Sequence, residues 1–316
     1  NSPTPNIDYI IAAIKKIAPY LKSGNLVLLE STSPVGTTDM ITEVLKKEGV
    51  IGIDQIYIAH SPERVLPGNI MVELIKNDRI VGGVNNKSTK KAAKFYRSFV
   101  EGSVLETNSN TAEMAKLTEN SFRDVNIAFA NELSMVCDDM DIDIRELIAL
   151  ANRHPRVNIL DPGCGVGGHC ISVDPWFIVN SANGKAELIR QARITNDYKA
   201  DWVIEKVKNA ALEYEKRQGE KPTISCMGLA FKPNIDDLRE SPALYISLEL
   251  NKTQNIVVVE PNVSKSSELH LVTLEKGLDS DICVYLVAHN QFKGIDIKKE
   301  DLVFCELSKI QINGVK

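Results

Sequence analysis

Cys170 ends the run Asp161-Pro162-Gly163-Cys164-Gly165-Val166-Gly167-Gly168-His169-Cys170, with His169 directly before it and Asp174 four residues on. A thiol, an imidazole and a carboxylate in one irregular stretch suit nucleophilic chemistry, because the thiolate is the reactive species and a neighbouring cation or donor favours it. Four glycines in six residues let the backbone pass close to another surface and deliver the cysteine to a cleft. Two other readings stand beside this one: a flexible loop with an inert thiol, and a zinc site of Cys164, His169, Cys170 and Asp174. The adjacency of His169 and Cys170 makes a single tetrahedral ion awkward. The run also satisfies G-x-G-x-x-G, but it is not a dinucleotide fingerprint. That motif follows a hydrophobic strand and opens a helix, whereas here Pro162 precedes the glycines and Pro175 follows them.

The surrounding pattern is α/β. Ile10, Ile11, Ile14, Ile17 and Leu21 predict a helix from Asp8, with Asp8 as its N-cap, and the apolar run 25–30 predicts a buried strand. Residues 31–38 are a loop rich in turn formers, followed by a helix near 38–48. Strands are predicted at 56–60, 79–84 and 104–106, with a helix over 88–99, in the alternation of a parallel sheet whose ligand loops follow the strands. From Thr111 to Asn152 neither Pro nor Gly occurs, which predicts a long central helix with one break near Asp141. Helical spacing returns over 185–217, and strands near 223–227, 255–260, 282–286 and 302–305 form a second α/β pattern. A helix of about 40 residues would run about 60 Å at about 1.5 Å per residue, which favours a homodimer packed along it.

Composition narrows the classes. The 316 residues carry 37 Lys+Arg against 42 Asp+Glu, a net charge of −5, and are 43% hydrophobic. Spread, mildly acidic charge argues against nucleic-acid or anionic-membrane binding. The apolar runs fall far short of the roughly 20 residues that span a bilayer, and no signal peptide is evident. Six cysteines without CxxC pairs and five histidines without HExxH spacing indicate a reducing, cytoplasmic setting and no metal.

The run His154-Pro155-Arg156-Val157-Asn158-Ile159-Leu160, then Gly163 to Cys170, then Val173-Asp174-Pro175-Trp176-Phe177, resembles the catalytic segment of nucleotide-sugar dehydrogenases of the UDP-glucose/GDP-mannose dehydrogenase type. Four more blocks resemble family blocks in family order: 30–38 (Glu-Ser-Thr-Ser-Pro-Val-Gly-Thr-Thr), 61–64 (Ser-Pro-Glu-Arg), 113–120 (Glu-Met-Ala-Lys-Leu-Thr-Glu-Asn) and 228–241 (Gly-Leu-Ala-Phe-Lys-Pro-Asn-Ile-Asp-Asp-Leu-Arg-Glu-Ser). The resemblance implies a partial N-terminal Rossmann-like domain, a long central helix region and a C-terminal Rossmann-like UDP-binding domain. The boundaries are 1–106 for the NAD-binding remnant, 107–205 for the central dimerisation and catalytic region, and 206–316 for the UDP-sugar-binding domain.

The family oxidises a sugar C6 alcohol twice with NAD, through an aldehyde and an enzyme thioester. The resemblance makes Cys170 the nucleophile, gives Lys116 and Asn120 the oxyanion, and gives Asp174, with Glu63, the activation of water. It assigns Arg64, Val65, Leu66, Phe231, Lys232 and His169 to the UDP-sugar, and Arg156 to a partner's site across the homodimer. Thr32 and Arg239 fall to the cofactor. By their residue types alone, Lys116 and Arg156 read as solvated surface positions. UDP-glucose dehydrogenases commonly have a small residue at His169, a lysine at Val173 and an acid at Pro67, so the differences favour an N-acetylated sugar. UDP-glucose oxidation, a non-catalytic UDP-sugar-binding fragment and a thiol hydrolase are the alternatives. The hydrolase is disfavoured because no second histidine is placed to act as base. About 100 residues with the family's own phosphate turn would precede Asp8. Their lack leads to the expectation of an N-terminally truncated member that binds NAD weakly, is inactive alone, and exposes a sheet edge that another chain could cover.

Overall fold

The structure, a computed structural model, describes residues 5–65 and 69–307. Leu66 and Pro67, singled out above, lie outside the described residues. The chain divides into two compact units, one of residues up to 121 with 173–187, the other of 122–172 with residues from 188 on.

In the first unit, Ile10 and Ile14 of α1 (Asp8–Ile17) and the following Ala18 form one apolar stripe, buried with Ile41 and Leu45 of α2 (Thr37–Lys47) against β1 (Leu26–Leu29). Asp8 is not the cap predicted for it. It occupies the first turn, where its charge complements the helix dipole, and its N–H donates to Asn6 Oδ1 at 2.9 Å. Next come β2 (Tyr57–His60), α3 (Ile70–Lys76), β3 (Arg79–Gly83), α4 (Asn86–Tyr96) and β4 (Val104–Asn108). The sheet order is β1-β2-β3-β4. It is not wholly parallel as the alternation predicts: β1–β2 and β3–β4 are parallel, but β2 and β3 are antiparallel. A parallel neighbour needs a crossover that packs on the sheet. The seven-residue α3 buries none of its residues and so offers no face for one.

The central helix starts as α5 (Ser109–Asp139), breaks at Asp141 in a left-handed conformation (φ 55°), and resumes as α6 (Ile144–Ala151) behind the N-cap Asp143. The continuous rod of about 40 residues is therefore 31 residues and then 8. A short helix absent from the sequence reading, α7 (Asp174–Ser181), belongs to the first unit.

In the second unit, α8 (Glu187–Gln218) lays Val203, Ile204, Val207 and Ala211 on a sheet of order β6-β5-β7-β8. Its strands are β5 (Thr223–Met227), β6 (Asn255–Val259), β7 (Ile282–Tyr285) and β8 (Leu302–Val303), with α9 (Pro242–Asn251) and α10 (Leu274–Leu278) in the connections. All three pairings are parallel. The four buried residues of β7, Ile-Cys-Val-Tyr, are the continuous apolar run expected where helices cover both faces.

Candidate active site

The predicted site residues fall in both units. In the first, Ser31 to Gly36 follow β1 and enter α2. Glu113 of α5, almost fully buried, closes this entry: its carboxylate accepts the N–H of Gly36 at 2.6 Å, and the N–H and hydroxyl of Thr38 at 2.7 and 2.6 Å. Burial raises the Glu113 pKa, and the three donors counter only part of that shift. Residue type alone does not mark Glu113, because its partners are about 75 positions away.

An NAD phosphate cannot take the N-terminus of α2 that Glu113 fills. The loop after β1 does retain capacity for a ligand: Ser33 Oγ is buried without a hydrogen-bond partner, beside the half-buried Thr32. That is the carboxyl end of a strand, where open α/β sheets bind nucleotides, so this loop fits a cofactor.

Glu63 lies in the loop after β2. Its Oε1 accepts the N–H groups of Arg64 and Val65 at 2.7 and 2.9 Å and stands 3.6 Å from Nη1 of Arg79, a buried arginine the sequence reading did not single out. Arg64 pairs with Glu119 at 2.7 Å. Along α5, Lys116 is half-buried and Asn120 is buried, one turn apart on one face. Asn120 Nδ2 donates to Asp174 Oδ2 at 2.5 Å. Asp174 is thus not in an irregular stretch with His169 and Cys170, as its sequence spacing suggests. It is buried in the first turn of α7, in the other unit, because Pro175 at the second position starts that helix.

In the second unit the glycine loop carries Cys170. Its first anchor is Gly163, whose N–H donates to Asn131 Oδ1 at 2.8 Å. Asn131 Nδ2 in turn donates to Asn196 Oδ1 at 2.9 Å, and Asn196 donates to Asp124, the buried partner of Arg193 at 2.7 Å. Farther on, the Gly168 N–H donates to the carbonyl of Arg239 at 3.1 Å. A β-carbon on Gly167 would stand 2.5 Å from the Glu240 carbonyl, and one on Gly168 (φ 80°) would meet the Phe231 ring at 2.9 Å. The glycines therefore permit the close approach their density implied.

Gly167→Ala pushes this loop off Phe231 and the 239–240 backbone. Displacing a reacting group by about 1 Å can cost about 100-fold; with Cys170 in the role that the resemblance implies, turnover is expected to fall at least about 10-fold while the far-UV circular dichroism spectrum is retained. Turnover at the wild-type rate would show that the close packing does not set the position of Cys170.

Cys170 and His169 are exposed. Arg239 forms a two-pronged pair with Asp237, at 3.0 and 2.6 Å, which holds the Asp237 pKa at about 2. Its guanidinium lies within electrostatic reach of Cys170. Lys232 and Arg156 are exposed and Phe231 is half-buried. None of the six cysteines is in a disulfide. Cys137, Cys164, Cys226 and Cys283 are buried and Cys305 is half-buried. Burial pushes the Cys164 thiol up to about 12 and those of Cys226 and Cys283 to about 11. Among the described residues no cluster of three metal ligands occurs, and no helix is long and apolar enough to cross a membrane.

A cavity of about 420 Å³ opens at the carboxyl ends of β5 and β7, lined by residues 161–165 of the glycine loop, Phe231, Asn234 and Lys293. A parallel sheet presents its ligand crevice at this edge.

Sequence profiles of one family match along the chain: the NAD binding domain of the UDP-glucose/GDP-mannose dehydrogenase family over residues 1–100, its central domain over 110–198 and its UDP binding domain over 225–305. The UDP-N-acetyl-D-mannosamine dehydrogenase of Campylobacter jejuni is 51% identical, the match covering 95% of this chain and 77% of that one. The NDP-N-acetyl-D-galactosaminuronic acid dehydrogenase of Ralstonia nicotianae is 50% identical over 92% of this chain and 71% of that one. The structure of the UDP-D-ManNAc dehydrogenase from Pyrococcus horikoshii superposes with a TM-score of 0.86 at 36% identity, covering 98% of this chain and 76% of that one. Those profiles follow one another in chain order across both sheets and the helices between them, and the chain accordingly belongs to the UDP-glucose/GDP-mannose dehydrogenase family, enzymes that oxidise a nucleotide sugar with NAD.

Proposed function

We propose that this protein oxidises C6 of UDP-N-acetyl-D-mannosamine from alcohol to carboxylate, with Cys170 as the covalent nucleophile. The docking of the Gly163–Gly168 loop on Phe231 and the 239–240 backbone carries this reading, because it anchors the segment that presents the exposed Cys170 thiol. Identity of about half to relatives named for N-acetylated sugars supports the substrate class.

NAD, when bound, accepts the two electrons and the hydrogen that leave C6 in each of two oxidations. Thr32 and Ser33 would contact it from the loop after β1, and Arg239 is the candidate for its phosphates. The rest falls to this chain's side chains. Cys170 Sγ adds to the C6 aldehyde, and the new oxyanion is stabilised by the Lys116 ammonium and the Asn120 amide. After the second oxidation the sulfur holds C6 as a thioester. Asp174, with Glu63, takes a proton from the attacking water, the C–S bond breaks, and Cys170 leaves as thiolate while the uronate departs. Arg64, Val65, Phe231, Lys232 and His169 contact the UDP-sugar.

A homodimer in which Arg156 serves the partner's site is part of the proposal. Phe122, Phe129 and Val136 support it, an exposed apolar stripe at seven-residue spacing on α5. Sedimentation of the pure protein as a monomer would remove it.

The assay supplies UDP-N-acetyl-D-mannosamine or UDP-glucose with NAD and identifies the product by mass spectrometry. Where acid forms, the expected product is the N-acetylmannosaminuronate with two NADH per sugar, with slow or no turnover of UDP-glucose; no acid from either sugar would match the expectation that this chain is inactive alone. Preferred turnover of UDP-glucose would overturn the substrate assignment, and one NADH per sugar would overturn the thioester route.

A further inference from the structure

In a dinucleotide-binding half-domain, the turn after the first strand offers its N–H groups to a phosphate, and an acidic residue ending a neighbouring strand takes ribose hydroxyls. The second unit has both features, but they are bonded to each other. After β5 the chain turns at Gly228 (φ 99°), and the N–H groups of Leu229 and Ala230 donate to Glu260 Oε2 at 2.7 and 3.0 Å. Glu260 directly follows β6, and its Oε1 accepts the Asn262 N–H at 2.9 Å. Its side chain is fully buried.

A second buried group continues the chain of bonds. His289 Nε2 lies 3.1 Å from Glu260 Oε2, and its Nδ1 lies 2.9 Å from the Asn234 N–H. A backbone N–H only donates, so Nδ1 is the acceptor and Nε2 carries the proton, which it donates to the carboxylate. Asn234 sits in the left-handed region (φ 62°), and its Oδ1 accepts the Asn290 N–H at 2.9 Å. Residues 229–234 are thereby held at both ends, and Phe231 and Lys232 lie between the two anchors. Although burial opposes ionisation of Glu260, the His289 proton and the backbone donors hold its pKa at about 2, so the anion persists at neutral pH.

We propose that Glu260 and His289 are positioning residues that shape the 229–234 loop for UDP, the Glu260 carboxylate filling the anion seat of the turn so that the nucleotide is taken by the loop beyond it. The inference rests on the reading of Phe231 and Lys232 as nucleotide contacts. A dinucleotide phosphate at Leu229 and Ala230 would have to displace a bonded carboxylate of its own charge, which accounts for a nucleotide-fold sheet that takes a mononucleotide sugar instead.

The test titrates UDP alone, by calorimetry, into wild type and four variants whose melting temperatures are recorded alongside. His289→Leu cannot donate to Glu260 or accept from Asn234, and it is expected to weaken UDP about tenfold or more. His289→Gln, whose amide can do both, restores affinity to within about threefold. Glu260→Gln, closest to wild type in shape, moves in the same direction as His289→Leu and serves if that variant does not fold. In turnover, the KM for the UDP-sugar rises more than kcat falls. Wild-type UDP affinity in both His289→Leu and Glu260→Gln overturns the proposal. So does a His289→Gln protein that folds normally yet binds no better than His289→Leu. Lys232→Ala tests the underlying reading separately: if UDP binds it as it binds wild type while His289→Leu still weakens binding, the assignment of Lys232 fails and the clamp stands.

Discussion

Cys170→Ala forms no detectable uronate, with acid production down by at least about 1,000-fold, while UDP binds as in wild type. The magnitude follows from the role: without the sulfur the aldehyde has no thiohemiacetal to form, and losing a covalent nucleophile removes a whole step rather than a fraction of a barrier. Affinity is spared because Cys170 is exposed and its loop is held by Gly163 and Gly168, whose bonds to Asn131 and Arg239 do not use the thiol. The measurement pairs mass-spectrometric quantification of the acid with calorimetric titration of UDP. Continued acid formation by the variant would eliminate the thioester, leaving direct oxidation of a hydrated aldehyde.

Arg193→Met is expected to lower stability by about 3–5 kcal/mol, since it leaves a buried carboxylate without its cation. Arg193 is 2% exposed and its partner Asp124 is 0% exposed. Once the guanidinium is gone, the Asn196 amide at 2.8 Å is the remaining side-chain donor to Asp124 Oδ1. Thermal unfolding should shift down by roughly 10 °C for a protein of this size. The double variant Arg193→Met with Asp124→Leu should regain much of the loss, because paired removal leaves no stranded charge. The same network reaches Gly163 through Asn196 and Asn131, so turnover should fall below what the stability loss alone explains. A shift smaller than about 2 °C in the single variant would mean that Asp124 is protonated in the native protein.

What could be read in advance follows a physical division. The covered strand Ile282–Tyr285 was legible because a sheet buried on both faces demands unbroken apolar runs, a local property. The interruption at Asp141 was legible because Asp is a poor helix former that tolerates the left-handed region, and Asp143 can cap the helix that follows. The antiparallel pairing of β2 and β3 was not, since strand direction is decided by how the connection returns, and nothing in Arg79–Gly83 itself encodes it. For the same reason the bond of Asp174 to Asn120, 54 positions away, left no mark in the sequence. Glu113, Glu260 and His289 escaped notice because each acts on backbone N–H groups, which leave no mark in residue type. Glu260 did carry one clue, a charge that ends the apolar run 256–259.

The burial of the other cysteines has a practical side. With four thiols enclosed and Cys305 half-covered, a small electrophile arriving from solvent meets Cys170 first. The molecule is in effect pre-set for attachment of a single reporter at the position where turnover is expected to happen. Inhibitor warheads built on a nucleotide scaffold would face little competition from the rest of the chain.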